Sequence, residues 1–182
     1  MYSRITSASV IGVEGFLVDI DVYISNESSS NELFSLTERR ILSVIRNIGF
    51  DIPYKKIRIN LSPPNVRKES SLFDLPIAIG ILSALGYLDY AEFYKRFVIV
   101  GELSFDGKLK EINEMLPLCL VARKLNYDGI IVPYGSRYKI SIIDGIKVYM
   151  FENLVDVINF LKLKINKYNY SKTGFAGGVF IY

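Results

Sequence analysis

Ser70 and Ser71 stand side by side in a polar segment, just ahead of the strongly apolar run DLPIAIGILSALG at residues 74–86. Lys108 and Lys110 follow further along the chain. A serine hydroxyl becomes a nucleophile when a base removes its proton, and a lysine amine within about 3 Å can do this without help from histidine. That matters because the chain contains no histidine. The absence excludes Ser-His-Asp and Cys-His catalysis, histidine metal ligation and histidine pH switching. Ser70 or Ser71 with Lys108 or Lys110 is therefore the sharpest catalytic candidate.

Three other groups carry potential chemistry. Asp19 and Asp21 occupy alternate positions of one segment, so both fall on one face of a strand. Such a pair can hold Mg²⁺ or act as acid and base, or simply face solvent. Cys119 lies among Leu118, Leu120 and Val121 on a predicted helix and reads as a buried, inert thiol. Lys55, Lys56 and Arg58, with Arg67 and Lys68, surround one strand and its following loop. They are candidate phosphate contacts, with ordinary solvated charge as the alternative. The patterns GxxxxGK[ST], GxGxxG and GxSxG are all missing, so this chain offers no P-loop, dinucleotide fingerprint or nucleophile elbow.

The elements that must position these groups follow from periodicity. In residues 16–24, Phe16, Val18, Ile20, Val22 and Ile24 face one way, while Leu17, Asp19, Asp21 and Tyr23 face the other. Period two predicts a strand with one side on a core. Residues 2–10 pair with it across a turn at residues 12–15. Ser35 and Glu38 form a capping box for a helix whose apolar face is Ile41, Val44, Ile45 and Ile48, stopped by Gly49. Residues 57–61 alternate as a strand ended by Pro63 and Pro64. The 74–86 helix, with Pro76 in its first turn, is apolar on nearly all sides and is expected to be buried.

A second short helix is expected around residues 90–95. Residues 97–100 read as an interior strand, continued by residues 101–105 up to a tight Asp106-Gly107 turn. Asn113 is placed to cap a helix running to about Leu125, and strands follow at residues 128–132 and 148–151. Asn153 begins a final helix to about Leu163, and residues 171–182 fit no element well. This order predicts one α/β (α+β) domain with a mixed sheet and packed helices over residues 1–163, then a poorly ordered basic tail or linker start over 164–182.

Composition agrees. The chain has 182 residues, half of them apolar and 23% charged, enough for one sizeable core. Its net charge of +3 is misleading as an average. Lys162, Lys164, Lys167 and Lys172 sit in a terminal stretch without acids, and removing them leaves 18 basic against 19 acidic residues. The body is not a basic nucleic-acid binder by charge alone. No segment reads as a signal peptide or approaches the roughly 18 apolar residues of a membrane span. With a single cysteine, unable to form an internal disulfide, a reducing cytoplasmic location is expected.

The runs KESSLFDLPIAIGILSALG, GELSFDGKLKEINEMLPLCLVAR and GIIVP resemble the N-terminal domain of the ComM/YifB magnesium-chelatase-like AAA+ proteins. The opening SASVIGVEGFLVDIDVYIS and the segment RNIGFDIPYKKIRINLSP fit as well, so the likeness covers about residues 2–163. It implies a fold shared with Lon peptidase domains and with the second domain of a small-subunit ribosomal protein. It also implies an AAA+ motor after this domain, with ATP and Mg²⁺ expected only there, and a role in natural transformation, DNA recombination and branch migration. Where the family has a glycine- and proline-rich stretch with a GLP motif, residues 26–36 read NESSSNELFSL.

Lon peptidases carry a serine in a KDGPSAG-like loop and a lysine on the helix after a GEIT-like strand. Aligning Lys68-Glu69 and Gly101-Glu102 to those motifs puts Leu72 and Leu116 at the two catalytic positions. Ser71 falls one place out of register, and residues 111–123 contain no lysine. The resemblance thus implies a non-catalytic module with no cofactor of its own. Its expected partners are the motor domain, DNA through the basic loops and further copies of itself, with no membrane. The rivals are a divergent Ser-Lys hydrolase and a stand-alone interaction module.

Overall fold

The computed structural model describes residues 1–25, 35–53, 55–64, 66, 70–88, 95–139, 144–169 and 180–181. The first sheet is antiparallel, in the order β1 (Tyr2–Ile11), β2 (Glu14–Ser25), β3 (Lys56–Ser62). Alternation works as expected. Ile5, Val18, Ile20, Val22, Ile24, Ile57, Ile59 and Leu61 are buried on one face. Over that face lie α1 (Leu36–Asn47) and α2 (Asp74–Ala84). Ser35 caps α1 with the full reciprocal box. In α2, ten of eleven residues are buried, so this helix has no solvent stripe and is a core element.

The second sheet runs β4 (Phe97–Ile99), β7 (Gly129–Pro133), β8 (Val148–Phe151), β9 (Phe180–Ile181). The first three strands are parallel and β9 is antiparallel, so this is the mixed sheet of the α+β domain. Being covered on both sides, its strands are continuous apolar runs. Ile99, Ile131, Tyr149 and Phe151 face the first core, shared with α1, α2 and α4 (Leu154–Asn169). Val98, Val100, Ile130, Val132, Val148 and Met150 face a second core under α3 (Met115–Lys124). Leu72 packs against both.

Three expectations are corrected or extended. Residues 101–105 do not continue β4. Gly101 donates to Leu72 O and accepts from Leu75 N, which turns the backbone toward the start of α2. The chain then forms a separate two-stranded hairpin, β5 (Glu102–Leu103) with β6 (Leu109–Lys110), around the expected Asp106-Gly107 turn. Asn113 does not cap α3. Its side-chain oxygen takes the Lys139 ammonium at 2.5 Å, and α3 begins without a side-chain cap. Asn153 does cap α4, accepting from Asp156 N at 2.9 Å, and α4 continues to Asn169. The expected helix at residues 90–95 falls mostly outside the described residues, as do residues 170–179 of the tail.

Candidate functional site: a serine and glutamate cleft

A cleft of about 460 Å³ opens between the tip of the β1–β2 hairpin, the turn before α2, the β5–β6 hairpin and the approach to α3. Ser9, Ser70, Ser71, Leu72, Glu102, Glu111, Asn113 and Glu114 line it. Ser71 opens a single 3-10 turn, Ser71–Phe73, which hands the chain to α2. Glu102 and Lys110 are direct cross-strand partners in the β5–β6 hairpin.

The Lys110 ammonium donates to Glu102 Oε1 at 2.6 Å. That hydrogen bond is the main reason the Glu102 carboxyl is held below the ordinary glutamate range. Burial opposes it, and the nearby Ser71 hydroxyl reinforces it. Ser71 thus stands beside an ionised carboxylate that Lys110 engages. A carboxylate with a lowered pKa is a weak base toward an alcohol. Lys108 is directed elsewhere, to Asp106 at 3.1 Å across the tight turn. On the opposite wall, Lys139 pairs with Glu111 at 2.6 Å and Ser136 accepts from Ile112 N at 2.8 Å.

The remaining sequence candidates separate. Leu72 lines the cleft, half-buried, whereas Leu116 is 50% exposed on α3. Asp21 is engaged by Arg4, at 2.7 and 3.0 Å, and by the Tyr2 hydroxyl at 2.6 Å, while Asp19 accepts from Thr6. Among the described residues no group of three or more carboxylate or cysteine ligands is arranged to hold a metal ion, and no helix is long and apolar enough to cross a membrane. Lys55, Lys56 and Arg58 lie at and along β3, away from the cleft lining, and Arg67 and Lys68 fall outside the described residues. Glu102 was the residue the sequence reading missed. Counting outward from a two-residue Asp106-Gly107 turn pairs it with Glu111, and only the three-residue loop over 105–107 brings it opposite Lys110.

Cys119 is fully buried in the second core, and burial pushes its thiol up to about 12. A thiol reagent such as DTNB is expected to leave the folded protein unmodified and to titrate one thiol after urea unfolding.

The cleft's position invites comparison with known proteins. Residues 31–136 match the family model for subunit ChlI of Mg-chelatase. Competence protein ComM of Haemophilus influenzae is 36% identical over 168 residues, covering 88% of this chain and 32% of that protein. The chain belongs to the ComM/YifB family of magnesium-chelatase-like proteins. The YifB protein of Escherichia coli is 30% identical over 169 residues, covering 89% of this chain and 33% of its own length. Lon protease 2 of Bacillus subtilis is 25% identical over 120 residues, 65% of this chain and 21% of that protein. The chain spans about a third of the length of the ComM and YifB relatives it matches.

Proposed function

We propose that this family member is a non-catalytic, Lon-like module that works in the cytoplasm beside an AAA+ DNA motor, in assembly of the motor or placement of its DNA. The observation that carries this reading is the pair Leu72 and Leu116 at the positions that match the Lon serine and lysine. Leucine supplies neither a nucleophilic atom nor a base. The cleft supports it further, because Ser71 faces ionised Glu102, which Lys110 holds in its charged form. An unactivated serine is a weak nucleophile at neutral pH. The competence protein among the relatives supports the link to DNA uptake and recombination. ATP and Mg²⁺ belong, in this reading, to the motor portion of a full-length relative, and further copies of the chain assemble with it.

The test is hydrolysis. The purified chain is incubated with casein and fluorogenic peptides, and separately with a serine-reactive fluorophosphonate. We expect no turnover above buffer and no mass adduct on Ser70 or Ser71. Turnover that disappears in Ser71→Ala would overturn the reading in favour of a Ser-Lys or Ser-Glu hydrolase.

A further inference from the structure

We draw no further inference here: the strongest candidate, the cleft where Glu102, Glu111 and Glu114 gather between the β1–β2 hairpin tip and the start of α3, carries nothing, because Lys110 and Lys139 already hold two of its three carboxylates and no second feature among the described residues marks a ligand there.

Discussion

Asp74→Ala lowers the free energy of unfolding by about 3–5 kcal/mol, a large share of what a domain of this size has available. Asp74 is fully buried at the start of α2. Its Oδ1 accepts from Arg40 of α1 at 2.7 Å, and its Oδ2 accepts from the Leu103 backbone N–H of β5 at 3.0 Å. Arg40 also donates to Leu103 O at 2.8 Å, which closes a ring of three hydrogen bonds joining α1, α2 and β5. Removing the carboxylate strands a largely buried guanidinium and a buried N–H together. A buried ion pair adds little over a well-packed apolar pair, but losing one partner costs far more, because the other cannot return to water. Urea unfolding measures the loss, and a change below about 1 kcal/mol would mean that the ring is not holding these elements together.

The same residue supplies a pH dependence. Burial holds the Asp74 carboxyl above its ordinary value, while the Leu103 N–H and the Arg40 charge pull it down. A folded-state pKa raised above the unfolded value, about 3.9, gives a contribution fully present below that pH and lost as pH rises through the elevated value. Arg40→Met removes one of the opposing pulls and raises Asp74 further. Its destabilisation is therefore largest at neutral pH and shrinks as pH falls toward 4, as urea midpoints across that range will show. Asp74→Asn, which cannot ionise, should lack this dependence. Because β5 also carries Glu102, the ring sets where the carboxylate of the cleft stands relative to Ser71.

How much of this was legible in the sequence depends on how far apart the partners lie. Alternation in residues 16–24 announced β2 and its core face, the Ser35 and Glu38 box announced α1, and the unbroken apolarity of residues 74–86 announced a buried helix. Each of these signals is complete within a few residues. The break after Val100 was not legible, because the bonds that divert Gly101 come from Leu72 and Leu75, more than twenty-five residues earlier. Asn113 has the right chemistry for a cap, but Lys139, twenty-six residues on, takes its oxygen. The extent of α4 was hidden for another reason. Its sequence beyond Leu163 becomes polar and basic, although the helix continues to Asn169. Pairing across turns lies between these cases. Once the turn at Gly12-Val13 is accepted, simple counting brings Tyr2 to Tyr23, whereas a two-residue turn at Asp106-Gly107 would set Glu102 against Glu111, and only the three-residue loop over 105–107 sets it against Lys110.

Gly15→Ala tests the contact on which the shape of the cleft depends. A Cβ built on Gly15 would lie 2.3 Å from Pro117 O and 2.8 Å from Pro117 C, with Val121 Cγ1 at 3.2 Å. Both sides of this contact are backbone, one in β2 and the other in α3, so no side chain can turn aside. The added methyl must push the hairpin and the helix apart. Overpacking of this kind costs about 1–3 kcal/mol, and with backbone on both sides the upper end is expected. The entropy that alanine removes from the unfolded chain, about 0.4–1 kcal/mol, does not offset it. Gly12→Ala is the control. Gly12 has φ +62° with no atom within 4 Å of the added Cβ, so only the left-handed backbone penalty of about 1–2 kcal/mol applies. If urea unfolding shows Gly15→Ala to cost no more than Gly12→Ala, the close approach of hairpin and helix is not what seats α3. If it costs more, amide exchange should quicken at the hairpin tip and the start of α3, because Ser9 and Gly12 line the cleft from one side while Asn113 and Glu114 line it from the other.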